Sequence, residues 1–235
     1  MRMRSLMKKR ISLYLLFLLL PCKFCLAIDF TFSSDTAGWE GDFSDYPVGG
    51  ESFYELAWGW ENLPTKLTEP ESLEKGLFLS GNNHSDDLFM FVRRKMENLK
   101  PDTEYLLNLS VLIESNIPTD TFGVGGSEGE SVYLKIGAST EKPEKIAVHG
   151  FYQLSVDKGD QSEGGKNSLV VGTLAHEEVD PHHRLYLPKL YAPKNLFVVK
   201  SNSQGEIWIF LGTDSGYESR TKFYIAQVTL QIEPL

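Results

Sequence analysis

The densest run of side chains able to do chemistry is Asn82-Asn83-His84-Ser85-Asp86-Asp87, set directly ahead of the apolar run Leu88-Phe89-Met90-Phe91-Val92. Imidazole beside carboxylate can move protons, and carboxylates with amide oxygens can hold a hard cation. Three more segments share this mixture of glycine with Ser, Asp, Asn or Glu: 124–131 (VGGSEGES), 157–168 (DKGDQSEGGKNS) and 212–219 (GTDSGYES). Glycine frees the backbone for turns, and small polar side chains bond back to it. Loops of this kind on a rigid scaffold are where ligand-binding and catalytic groups gather. If the four loops meet, they bring together His84, Asp86, Asp87, Glu128, Asp214 and Tyr217. Adjacent residues entering a strand point opposite ways, so only one of Asp86 and Asp87 can face a shared pocket.

Several chemistries are compatible with these residues. Oxygen donors favour calcium over zinc, with Asp86, Asp87 and Asp214 as the expected ligands, assembled from separate loops. Two carboxylates among Asp86, Asp87, Glu128 and Asp214 would supply the acid and base of a glycosidase. Binding a sugar without cleaving it asks for exposed aromatic rings beside hydrogen-bonding groups. Trp39 and Tyr46 in the loop-like AGWEGDFSDYP, and Tyr217 in GTDSGYES, are the rings expected to do this. Trp58, Trp60 and Trp208 lie in apolar patterns and are expected in the core.

Three motif matches fail on context. Gly125 to Gly129 fits G-x-S-x-G, but the following SVYLKIG alternates like a strand where a nucleophile elbow needs a helix. GDQSEGGKNS has Asp160 and Asn167 where a phosphate loop needs Gly and Ser or Thr. His176 and His182 are six apart with Pro181 between them, which excludes the helical zinc spacing.

The elements that must position these loops are strands. Tyr54, Leu56, Trp58 and Trp60 alternate with polar or small residues; Tyr105, Leu107, Leu109, Val111 and Ile113 do so again, as do Tyr224, Ala226, Val228, Leu230 and Ile232. This period of two is that of half-buried strands. About eleven such segments are expected, with a single helical turn or two over Glu69–Lys75 and a long loop over 175–193. Many short strands without helical crossovers predict an all-β, antiparallel, jelly-roll-like sandwich forming a single domain over 28–235.

Residues 1–27 read as a cleaved signal peptide, with a basic start, the short apolar run ISLYLLFLLL and a small residue, Ala27, at the expected cut. Both cysteines, Cys22 and Cys25, lie in that leader, so the mature chain is expected to form no disulfide and to come from a bacterial source, secreted to the periplasm or beyond. Loss of a leader with six cations and no acid takes the net charge from −9 to −15. Such a chain repels nucleic acid, and once cleaved it is expected to keep no membrane span.

The piece Leu99, Pro101, Thr103, Tyr105, Leu107, Val111 resembles a strand pair common in jelly-roll carbohydrate-binding modules, and FYIAQVTLQI is similar to their closing strand. It departs from them at Ala226-Gln227, where those modules often carry an acidic pair. The whole chain, with GNNHSDDLFMF, VGGSEGESVYLK and GTDSG, also resembles a family of secreted bacterial proteins without assigned function. The resemblance implies a sandwich fold and a non-catalytic protein binding a glycan or cell-envelope component. The alternatives are a secreted hydrolase using loop carboxylates and a calcium-stabilised structural or adhesion protein.

Overall fold

The computed structural model describes residues 26–67 and 73–235. The expected leader lies outside the described residues except for Leu26 and Ala27, which open the first strand. Fifteen strands follow one another: β1 (Leu26–Thr31), β2 (Glu40–Ser44), β3 (Tyr46–Pro47), β4 (Ala57–Leu67), β5 (Leu73–Asn82), β6 (Leu88–Met96), β7 (Glu104–Ser115), β8 (Val132–Ser139), β9 (Lys145–Val148), β10 (Phe151–Leu154), β11 (Ser168–Thr173), β12 (Leu187–Tyr191), β13 (Phe197–Lys200), β14 (Ile207–Ser215) and β15 (Arg220–Pro234). Among the described residues there is no α-helix, so none long and apolar enough to cross a membrane. Of the helical turn expected over 69–75, residues 69–72 lie outside the described residues, and Leu73–Lys75 is strand.

The strands build two facing antiparallel sheets. In the first, β7 and β15 pair along most of their length. The other edge of β15 is shared by β5, beside residues 220–225, and β1, beside residues 227–232; β4 pairs beyond β5. The other edge of β7 is likewise shared by β13 and β12. The second sheet has the order β11-β8-β14-β6-β2, and a small ribbon, β3-β10-β9, lies apart. The all-β antiparallel sandwich expected from the alternating pattern is thus present.

The core between the sheets follows from the alternation. Tyr105, Leu107, Leu109, Val111 and Ile113 face Leu88, Met90, Val92, Leu134, Ile136, Ile209 and Leu211, all buried in one cluster. On β15 the expected face is wrong over its first half. The register shifts between Ile225 and Gln227, so Ala226 is an extra residue. A bulge of this kind flips the side-chain phase. Phe223 and Ile225 therefore face inward together with Val228, Leu230 and Ile232, while Tyr224 and Ala226 join Leu63 and Leu73 in a separate outer cluster. Residues 51–55 form a turn with Glu55 at φ +50°, so the strand begins only at Ala57. Trp60 is partly buried against the core, its indole N–H donating to the Phe32 carbonyl at 2.7 Å. Trp58, expected in the core, is 37% exposed at the sheet edge, over Gly41.

The run Leu88-Phe89-Met90-Phe91-Val92 is apolar without interruption because both faces of β6 are covered. Leu88, Met90 and Val92 face the central core; Phe89 and Phe91 stack at 5.2 Å on the outer face, packed with Phe210, Val156 and Leu154. The segment from Pro143 to Asn167 caps that outer face, with the Pro143 carbonyl accepting from Arg93 at 2.7 Å and the Lys158 carbonyl from Lys135 at 2.9 Å.

Candidate functional site

The four polar loops meet at one end of the sandwich. The Asn83 side-chain amide donates to the carbonyls of Ser215 (2.7 Å) and Tyr217 (3.1 Å). Gln161 reaches from 157–168 to donate its side-chain amide to the Asp86 carbonyl at 2.8 Å. Gly216 N–H donates to Ser131 and Glu218 N–H to Val124, each at 2.9 Å, which ties in the loop 124–131. Gly125 sits at the seam with φ +72°, and a Cβ there would fall 2.2 Å from the Gly216 carbonyl oxygen. Only glycine fits such a close approach at positive φ.

Under this seam, on the outer face of the second sheet, lies a buried charge cluster. Asp214 on β14 and Lys135 on β8 are both fully enclosed, and Lys135 Nζ donates to Asp214 Oδ2 at 2.8 Å. Lys135 also donates to the carbonyls of Lys158 (2.9 Å) and Glu163 (3.0 Å). Lys158 Nζ approaches the same Asp214 oxygen at 2.8 Å, Asp45 Oδ2 at 3.4 Å and Asp87 Oδ1 at 3.9 Å. Its ammonium also stands 5.3 Å from the centre of the Phe89 ring. The loop that delivers Lys158 is braced by Asp157, whose carboxylate accepts from the backbone N–H groups of Gly159 and Lys166, each at 3.0 Å.

The electrostatics follow from burial and neighbours. Burial raises Asp87, and the charges of Asp45 and Asp214 add to that against the opposing pull of Lys158, so its carboxyl is pushed up to about 7. Burial also raises Asp45, with Lys158 opposing. For Lys158 burial disfavours the charge, but Asp214, Asp45 and Asp87 outweigh it and hold the ammonium above its ordinary value. Lys135 goes down, because burial exceeds the pull of Asp214. One oxygen each of Asp87 and Asp214 is buried without a hydrogen-bond partner. Below pH about 7, where Asp87 holds its proton, that proton can be shared with Asp214.

Oxygens of Asp45, Asp87 and Asp214 all lie within 4.8 Å of one another, close enough to share one cation. Asp86, expected among the calcium ligands, is not in this group, and Asp45 takes its place. Asp86 sits at φ +59° in the turn, with its carboxylate beside Gly125 and Gly216. Of the two adjacent aspartates it is therefore Asp87 that faces the cluster. The donor set fits a divalent ion poorly, since the Lys158 ammonium already stands among the three carboxylates and Lys135 adds a second positive charge.

Above the cluster opens a pocket of about 140 Å³, bordered by Asp45, Ser85, Asp87, Phe151, Tyr152 and Gln153. Phe151 is 46% exposed. His84, one residue before Ser85, does not border this pocket and stacks on Phe53, ring centres 4.2 Å apart, with Phe53 itself 66% exposed. Glu128 and Tyr217 border a different cleft, where Glu128 accepts a two-pronged contact from Arg184 at 2.6 and 3.3 Å. Asp214 is fully buried and borders neither of these openings.

Trp39 and Tyr46, expected to offer their rings to a sugar, are core residues. Trp39 is 1% exposed and packs edge-on against Phe30 at 5.7 Å. Tyr46 is fully buried between Tyr54 and Tyr152, its hydroxyl accepting from Lys145 at 2.9 Å. The loop-like spelling around them hides two short strands, β2, which follows Trp39, and β3, which contains Tyr46. The four carboxylates named for a hydrolase do not share a pocket. Sequence reasoning missed Asp45, Lys135, Lys158 and Phe151. A charge inside a strand apolar on both faces, as in VYLKIG and IWIFLGTD, needs an opposite charge nearby, and that signal would have paired Lys135 with Asp214.

No protein-family model matches the sequence, and neither does any of the curated proteins compared with it. Among solved structures, the chain is similar to the enzymatically active domain of tailspike protein 4 of bacteriophage CBA120, at 9% identity and a TM-score of 0.37, with 83% of this chain and 19% of that one covered. It is similar to the N-terminal modules of endo-1,4-β-D-xylanase 10B of Clostridium thermocellum, at 11% and 0.38, with 87% and 28% covered. It is also similar to the mannan-recognising carbohydrate-binding module TmCBM27, at 12% and 0.36, with 88% and 98% covered. The chain thus spans less than a third of the tailspike and xylanase chains.

Proposed function

We propose that this chain is a secreted, non-catalytic binding protein for a glycan, held in the pocket over the buried charge cluster. The observation that carries this is one opening that places a half-exposed phenyl ring, Phe151, beside the hydroxyl-bearing Ser85, the carboxyl of Asp87 and the amide of Gln153. A sugar presents an apolar C–H face and a rim of hydroxyls, and this pairing of ring and polar groups answers both. Lys158 stands 3.9 Å from Asp87 and the Asp45 carbonyl accepts from Ser85 Oγ at 3.3 Å, so these two polar groups are partly ordered before binding.

A glycan array followed by titration calorimetry tests the reading. A glycan recovered on the array should lose about tenfold in affinity with Phe151→Ala, the equivalent of about 1.4 kcal/mol for a lost stacking contact. Asp87→Ala should weaken it as well. An empty array, or affinities untouched by both changes, would overturn the proposal. Release of reducing sugar from the bound glycan measures the hydrolase alternative, and none is expected.

A further inference from the structure

The same four-loop end carries a second cleft, of about 220 Å³, bordered by Arg184, Arg220, Lys222, Tyr186, Tyr217 and Glu128 among others. Three cations and one bordering acid converge there, in a chain whose net charge is −9. Arg220 and Lys222 stand two apart on β15 and so share a face. Arg184 comes from the long excursion between β11 and β12. Each cation is already in contact with a carboxylate of the protein. Arg184 grips Glu128 with both prongs of its guanidinium, at 2.6 and 3.3 Å, Lys222 meets Glu61 at 2.7 Å, and Arg220 meets Glu55. Glu55 and Glu61 do not border the cleft, so Glu128 is the carboxylate inside it.

The Arg184–Glu128 contact shows what the cleft is shaped to hold. A planar guanidinium fork matches a planar carboxylate, and the geometry for that contact is already set. The pair is solvent-accessible, with side chains 40% and 24% exposed, so it contributes little stability and exchanges at small cost. Two phenol rings beside it offer the apolar surface that a sugar ring needs.

We propose that this cleft binds the carboxylate of an acidic sugar residue, a uronic acid, with Arg184 as the two-pronged contact and Arg220 and Lys222 completing the positive field. Glu128 is the internal occupant that the ligand displaces. The inference does not depend on the Phe151 pocket, which borders different residues.

The test is titration calorimetry of the whole protein at low salt with trigalacturonic acid and with its neutral methyl ester. The acid should bind, and the ester at least tenfold more weakly. Arg184→Gln should cost the acid at least tenfold. Glu128→Gln should strengthen it severalfold, an opposite sign that mere damage to the fold would not give. Rising salt should weaken the acid alone. Phe151→Ala should leave this affinity within twofold, which separates the two sites. Failure of the acid to bind, equal affinity for acid and ester, or weaker binding in Glu128→Gln overturns the proposal.

Discussion

Replacing Lys135 with Met probes the buried cluster while leaving the volume of the stem nearly unchanged. Lys135 is fully enclosed and donates to Asp214 Oδ2 at 2.8 Å and to the carbonyls of Lys158 and Glu163 at 2.9 and 3.0 Å. Methionine removes all three contacts. Asp45 and Asp214 are then faced by the single ammonium of Lys158, and the carbonyls of Lys158 and Glu163 each lose a donor, the first keeping Ser168 Oγ at 2.6 Å. Breaking one partner out of a buried ion pair costs about 3–5 kcal/mol, and because Asp214 keeps Lys158 at 2.8 Å and the Lys158 carbonyl keeps the Ser168 hydroxyl, the lower end is expected. Urea unfolding followed by tryptophan fluorescence reads this as a lower midpoint with an unchanged slope. The double change Lys135→Met with Asp214→Leu also takes the 2.8 Å partner from the buried Lys158 ammonium and should therefore deepen the loss. A loss below about 1 kcal/mol in Lys135→Met would refute the reasoning, since a charge that costs so little to strand is not buried in a dry cluster.

Other outcomes follow from the same geometry. Asp87 has a folded value of about 7, above its ordinary carboxylate value, so the folded state holds this proton more tightly than the unfolded one. Its stabilisation is complete at acid pH and is lost as pH rises through about 7; urea midpoints should fall from pH 5 to pH 8, and Asp87→Asn should flatten that slope. Gly125→Ala forces a side chain into a positive-φ site 2.2 Å from the Gly216 carbonyl oxygen and should destabilise by about 2–3 kcal/mol, read from thermal melts. Because the Lys158 ammonium stands where a cation would, chelation with EDTA should move the melting temperature by less than about 1 °C; a fall of about 5 °C would reveal a structural metal.

The fold was legible because its strands alternate. β7 reads Tyr105, Leu107, Leu109, Val111, Ile113 in sequence and in the core alike. What sequence hid are features set by long-range partners. The bulge at Ala226 leaves no local mark, since alanine suits either face, yet it decides which half of β15 points inward. The four loops were readable as a set, and they do meet, but their chemistry was not. Asp214 looked like a loop ligand, whereas the Pro143–Asn167 cap covers it and turns it into a buried counter-ion. Lys158 looked like one more polar loop residue until Asp45, 113 positions away in the chain numbering, closed around it at 3.4 Å. Trp39 and Tyr46 sat between turn-forming residues and read as exposed, but the two short strands there are anchored by β6 and β10, which no local pattern announces.

The most direct test of glycan binding at the Phe151 pocket is a two-dimensional amide NMR titration with a neutral oligosaccharide that binds the protein. The account predicts that the amides of Ser85, Asp87, Phe151 and Gln153 shift first and saturate together, with the central strands of both sheets unmoved. Shifts confined to the outer face of the first sheet, with those four amides silent, would contradict it.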